Sequence, residues 1–227
     1  MFVIFNGSNM TFKALIAVRP DSQRVVNKNI RPFAHSSLLE IKIQQLLKIK
    51  ELDGVVVNSN DRNMLAIAKK YGCEIIERNQ YYASNSVCMS EVYENMANNI
   101  DCDVVIYSNC TNPLIRTETI RRCIELYIEN GSYDSVNTAN SVKKFLFLNN
   151  SPVNYKLTEQ PRSQDLPPIT SLNFAVNVIS KKHMIKYKNI VGHNPYLYLV
   201  DDMEGLDIDT PLDFEIAEYL FKKYGND

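Results

Sequence analysis

The 227-residue sequence predicts an α/β domain with a mostly parallel sheet and helices on both faces. Three observations carry that prediction. Short apolar runs rich in β-branched residues recur along the chain, as expected of strands covered on both sides. Between them lie stretches whose apolar residues return every three or four positions, the spacing of a helix with one buried face. The length, with 45% hydrophobic and 22% charged residues, suits one large core.

The elements follow in order. KALIAV (13–18) reads as the first buried strand. After it comes a basic loop without glycine, RPDSQRVVNKN (19–29). Ser36 or Ser37 can cap the next helix, whose Leu38, Leu39, Ile41, Ile43, Leu46, Leu47 and Ile49 face a core. DGVVVNSN (53–60) is a strand, and Asp61 caps a helix that stops near Gly72. CEIIER (73–78) is a short strand, 89–100 a helix and DCDVVIYSN (101–109) a buried strand. A helix spans 116–131, and YDSVNTANSV (133–142) is strand-like. The segment 143–172 is rich in Asn, Ser, Pro and Gln, and reads as an arm inserted in a single domain, 13–227. NFAVNVIS (173–180) is strand-like, and TPLDFEIAEYLFKKYG (210–225) is a closing helix with proline in its first turn. Residues 1–12 read as a disordered or strand-like leader.

Composition excludes some functions. A formal net charge of −1 argues against a dedicated nucleic-acid binder but leaves room for a local basic pocket. The five cysteines are scattered and odd in number, which suits reduced, mostly buried thiols in a cytoplasmic protein. The first residues have neither a basic leader nor a run long enough to span a membrane.

In an open parallel sheet, ligands sit at the carboxyl ends of the strands. The basic loop lies at such an end. Arg19, Arg24, Lys28 and Arg31 stand there against one acid, Asp21. Side-chain cations can hold a triphosphate where glycine-rich loops use backbone N–H groups; a solvated surface loop is the plain alternative. In GLDIDTPLDF (205–214), Asp207 and Asp209 alternate around Ile208, so on a strand both carboxylates face one side and suit Mg²⁺. A helix cap would explain Asp209 but not the pair. In EQPRSQDLPP (159–168), Arg162 stands between Gln160 and Gln164 in a proline-stiffened loop suited to a carboxylated ligand. Asn109, Thr111 and Asn112 of SNCTNPL (108–114) offer neutral groups for hydroxyls. His35, His183 and His193 form no cluster in the sequence and read as structural or exposed.

Together these pieces resemble the acylneuraminate cytidylyltransferases, or CMP-sialic acid synthetases, over about residues 13–224. The family's A-R-x-x-S-K-x-x-x-x-K-N motif is met by VRPDSQRVVNKN, which keeps Arg19, Ser22, Lys28 and Asn29. Its R-P-x-x-L-A-S-D loop is met by RNQYYASNS, keeping Arg78, Ala83 and Ser84. Its P-T-S-P-L-R loop is similar to CTNPLIR, its E-Q-P-R and R-Q-D-L-P-P patterns to EQPRSQDLPP, and its D-I-D-T-x-L-D to DIDTPLD.

The resemblance implies a Rossmann-like nucleotidyltransferase fold, and it sets the arm at 141–172, exchanged between the partners of a homodimer. It implies transfer of CMP from CTP to a nine-carbon 2-keto sugar acid, with release of pyrophosphate. Arg19 and Lys28, assisted by Ser22 and Arg24, would hold the triphosphate. Asn29 and Arg78 would read cytosine. Asn109, Arg162, Gln164 and Asn173 would hold the sugar acid, and Asp207 and Asp209 would carry Mg²⁺. The chain departs from the family at Pro20-Asp21 for Gly-Gly, at Gln23 for lysine, at Phe174 for glycine and at Ser171 near a usual arginine. These departures leave open a different acid, such as 3-deoxy-manno-octulosonate, and a non-catalytic homologue serving as a dimer partner.

Overall fold

The computed structural model describes residues 4–5, 8–20, 22–129 and 131–225. Seven strands form one sheet: β3 (Phe12–Ala17), β4 (Gly54–Ser59), β5 (Glu74–Glu77), β6 (Val104–Tyr107), β7 (Ser135–Val142), β10 (Ile169–Ser180) and β11 (Pro195–Leu199). Their order is β11-β7-β10-β6-β3-β4-β5. Pairings β6–β3, β3–β4, β4–β5 and β7–β11 are parallel, and β10 alone runs against both of its neighbours. Six strands therefore point one way, and their carboxyl ends share one edge.

Strand alternation divides the interior between two faces. Ala14 and Ile16, Val55 and Val57, and Val104 and Ile106 enter one core with helices α1 (Leu38–Leu47), α2 (Arg62–Lys70), α4 (Thr117–Glu129) and α6 (Pro211–Tyr224). Leu15, Val56, Val105 and Tyr107 enter the other with α3 (Met89–Asn99) and α5 (Lys181–Tyr187). Helices on both faces were expected; α5 and β11 are elements that the sequence reading lacked.

Helix ends follow local chemistry. Ser37 caps α1, its side chain accepting from the Glu40 N–H. Asp61 caps α2, and Gly72 follows that helix with φ +75°, a conformation that costs glycine little. Thr210, not Asp209, caps α6; Thr210 and Asp213 form a reciprocal capping box with Pro211 in the first turn. The plain explanation of Asp209 as a helix cap is thereby removed.

The arm is narrower than the sequence suggested. Val142 pairs with Ile169 and Ser141 with Thr170, so both ends of 141–172 are sheet ladder rather than insertion. The excursion between the strands carries a small hairpin, β8 (Phe147–Leu148) with β9 (Ser151–Pro152), and a 3₁₀ turn at Ser163–Asp165. Because β10 is antiparallel, the arm leaves and re-enters at the same edge as the carboxyl ends of β3, β4 and β6. Of the leader, Ile4–Phe5 (β1) and Ser8–Asn9 (β2) form an antiparallel ladder, while residues 1–3, 6 and 7 lie outside the described residues.

Candidate active site

The loop after β3 coils through successive turns. The Lys28 N–H donates to the Val25 carbonyl, and those of Ile30 and Arg31 to that of Asn27. Asn27 takes φ +53°, so asparagine supplies the left-handed residue that glycine often provides in a phosphate loop. Val25 is buried and anchors the coil, which turns the side chains of Arg24 and Lys28 toward the chain's far end.

That end is the segment Leu206–Asp209. It is irregular, not a strand, and runs beside the turn after β6: the Ile208 N–H donates to the Thr111 carbonyl at 2.9 Å. Ile208 is fully buried, which fixes the residues on either side of it. Gly205 precedes them because a Cβ there would fall 2.1 Å from Oδ1 of Asn140. Lys28 Nζ lies 4.0 Å from Asp209 Oδ1 and donates to the Ile208 carbonyl, while Arg24 meets the same carboxylate oxygen at 2.7 Å. The cationic loop and the acidic segment thus converge.

A cavity of about 380 Å³ opens between them. Arg19, Ser22, Arg24, Lys28, Asn29, Asn109 and Asp209 all line it. A second cavity, of about 360 Å³, shares the wall made by Ala17, Val18, Arg19 and Asn85. It contains Arg78 and Ser84 among apolar and aromatic groups that include Tyr82, Val92 and Tyr107. Arg78 is buried and held by Asn58, with bonds of 2.5 Å to the side-chain oxygen and 3.1 Å to the carbonyl. Arg19 reaches across the shared wall to the Ala83 carbonyl and to Asn85 Oδ1 at 2.8 Å.

The charges here are unsettled by burial. Desolvation pushes the Lys28 amine down from its usual value, against the opposing pull of Asp207 and Asp209. Desolvation pushes the Asp207 carboxyl up, with Asp209 adding to the rise and a Thr111 hydrogen bond and Lys28 opposing it. Asp207 Oδ1 is buried without a hydrogen-bond partner. A buried, unpaired carboxylate oxygen near a second acid is a fitting donor set for a small hard cation that keeps water and phosphate oxygens as its other ligands. Among the described residues no three His, Cys, Asp or Glu side chains cluster as a metal cage, and Asp207, unlike Asp209, does not line the cavity.

Other expected residues lie elsewhere. Arg31 stacks on the Phe214 ring at 4.6 Å and does not line the cavity, which leaves three cations of the expected four there. Asp21 lies outside the described residues. Arg162 is exposed on the arm and paired with its neighbour Asp165 at 2.7 Å; Gln164, also on the arm, is exposed and receives Lys143 on its carbonyl. Asn173 is buried in the sheet, where it accepts from Thr138 and donates to Asn140 at 2.7 Å. None of these three lines either cavity. Phe174 has φ +56° beside an irregularity in the β10–β7 register. Its backbone thus adopts the conformation for which glycine would be the easy choice. Two participants escaped the sequence reading: Asn85, beside the retained Ser84, and Cys110, beside Asn109.

A protein of Campylobacter jejuni named pseudaminic acid cytidylyltransferase is 25% identical over 220 residues, covering 92% of this chain and 95% of its own length. The CMP-N,N'-diacetyllegionaminic acid synthase of Legionella pneumophila is 25% identical over 227 residues, covering 94% and 97%. A solved CMP:2-keto-3-deoxy-manno-octonic acid synthetase complexed with CTP shares the fold with a TM-score of 0.73 at 12% identity, covering 94% of this chain and 99% of its own. A family model described as cytidylyltransferase matches residues 13–223, and the chain belongs to that family of nucleotidyltransferases.

Proposed function

We propose that the enzyme transfers CMP from CTP to a nine-carbon 2-keto sugar acid of the sialic acid type. The observation that carries this reading is the meeting of Lys28 with Asp209, 4.0 Å apart at the wall of a cavity beside a second, aromatic one. The relatives named for pseudaminic, legionaminic and neuraminic acids support the acceptor class.

Arg19, Ser22, Arg24 and Lys28 face the cavity where the triphosphate would lie. Arg24 and Lys28 rest on Asp209 in the free chain. The Arg24 pair is exposed on both sides, worth about 0–1 kcal/mol, and so is readily exchanged for phosphate. Arg78 and Asn29 would orient the base, the former from the aromatic cavity. Asn109 would meet the sugar acid, with Arg162 and Gln164 brought by the arm of a partner copy and Asn173 supporting the strand behind. Asp207 and Asp209 would hold Mg²⁺, which when bound neutralises phosphate charge and fixes the oxygens for in-line displacement. The acceptor's anomeric hydroxyl oxygen bonds to the α-phosphorus. The bond from that phosphorus to the bridging oxygen breaks, pyrophosphate leaves with the electron pair, and the hydroxyl proton passes to solvent. Five unpaired cysteines support a reducing, cytoplasmic setting.

Pyrophosphate release tests this reading. With Mg²⁺, release is expected with CTP and a nine-carbon acid, and not with ATP, GTP or UTP. Release with 3-deoxy-manno-octulosonate instead would transfer the assignment to that acid. Tight CTP binding without turnover on any acid would mark a non-catalytic partner.

A further inference from the structure

We propose that Lys42, buried inside α1, is a positioning residue for the nucleotide cavity, holding the Asn109–Asn112 turn that forms one of its walls. This rests on the reading of that cavity as the CTP site. Lys42 is 0% exposed. Its Nζ donates to Gln45 Oε1 at 2.8 Å and to the Asn112 carbonyl at 3.2 Å, and no carboxylate pairs with it among the described residues. Gln45 in turn donates to the Ile115 carbonyl. The fully buried Asn112 donates from its side chain to the Leu206 carbonyl at 3.2 Å, and the Thr111 carbonyl receives the Ile208 N–H. One chain of hydrogen bonds therefore runs from α1, through the turn that carries Asn109, Cys110 and Thr111, to the segment that carries Asp207 and Asp209.

Stability does not account for this lysine. A buried amine without an anion is costly, and methionine would fill a similar volume with no charge to desolvate. Burial brings its pKa down to about 7. The titratable group acting on it is the Cys110 thiol, itself pushed up to about 12 and thus neutral across the working range. Cys110 lines the cavity and also interacts with Lys28, so the Lys42 charge stands behind the wall that Lys28 faces. In that low dielectric, a charged Lys42 both strengthens its grip on the Asn112 carbonyl and favours a polyanion in the cavity.

The test is Lys42→Met, compared with wild type by thermal unfolding without ligand and by calorimetric titration with CTP and Mg²⁺ at pH 6.0 and 8.5. The variant is expected to melt at or above the wild-type temperature. Its CTP dissociation constant should rise about tenfold at pH 6.0 and by a smaller factor at pH 8.5, the loss of a charge-assisted bond. A variant that melts lower and binds CTP as wild type does would make Lys42 structural and overturn the proposal. If Lys42→Met does not fold, Gln45→Met removes one partner of the amine; weakened CTP binding there supports the proposal, and unchanged binding overturns it. Wild-type protein that binds no CTP would remove the nucleotide reading, and this inference with it.

Discussion

At the scale of single residues, Lys28 bears the largest consequence. Its amine is desolvated at the cavity wall, with Asp207 and Asp209 pulling against that effect, and in the proposed reaction it would stabilise charge on the transferring phosphoryl group. Lys28→Ala should lower turnover by about 100- to 1,000-fold, the usual loss for one such donor, while circular dichroism and the melting temperature stay near wild type. Full activity in that variant would remove the role. Asp209→Asn should raise the Mg²⁺ concentration needed for half-maximal pyrophosphate release several-fold, because a metal held as proposed would lose one of its two carboxylates; an unshifted titration would overturn that assignment. Lys42 gives a pH dependence whose sign can be worked out. Its pKa is about 7 when folded and 10.5 ordinarily, so between those values the unfolded chain binds more protons. Stability from this group therefore rises with pH through that window, by up to about 1.4 kcal/mol per pH unit. Denaturant unfolding at pH 7 and pH 9 should show wild type gaining on Lys42→Met, and parallel behaviour would refute the burial effect. The candidate site was legible where residues follow the carboxyl ends of strands, as Arg19, Lys28 and Asn109 do. Lys42 was masked by its helix, although its place between Leu38 and Leu46 on the buried face was a usable signal. Arg162 and Gln164 took their roles from a proline-stiffened loop and a motif, and Asn173 from the motif alone; neither says which residues one chain brings together.

At the scale of elements, the strands and helices with strong local periodicity were readable, and those made by pairing at a distance were not. β11, Pro-Tyr-Leu-Tyr-Leu, has no polar alternation, and its parallel partner β7 lies far back in the chain. α5 has only seven residues, capped by Ser180 and closed by Lys188 with φ +51°, too short for a helical period to show. The reversed direction of β10 follows from the arm, which returns to the edge it left instead of crossing the sheet. The closing helix was legible in place, with Asp209 as a cap only the plain alternative to the acidic pair; the reciprocal spacing of Thr210 and Asp213 removes that alternative. That cap also frees Asp209 for the cavity. Thr210→Ala should cost about 1 kcal/mol, or about 2–4 °C of melting temperature, with little change in CTP affinity. A large loss of affinity would mean that the cap orients the acidic segment as well as ending it.

At the scale of the whole molecule, the arm carries contacts of its own. Asn154 is buried, accepts from the Leu146 N–H and donates to the Lys144 carbonyl, and Tyr155 packs edge-on against Phe145 and Phe147. Yet the outer side stays apolar: Phe147 is 53% exposed, Leu148 67%, Val153 56% and Leu157 65%. An ordered arm with an uncovered apolar side fits a surface that a second copy buries, and it stands at the same sheet edge as the active-site cavity. Exchange between two copies would then carry Arg162 and Gln164 toward the partner's sugar site, while the proposed nucleotide cavity would keep its own chain's Arg19, Lys28 and Asp209. The two functions should therefore separate. Leu148→Asp combined with Leu157→Asp should convert a dimer to a monomer in sedimentation, because charges set into an apolar contact cost several kcal/mol. The same variant should still bind CTP with near wild-type affinity but release pyrophosphate far more slowly with any sugar acid. A monomeric wild type with full turnover would refute the exchange. A dimeric variant with normal turnover would show that the arm's apolar side faces something other than a second copy of the chain.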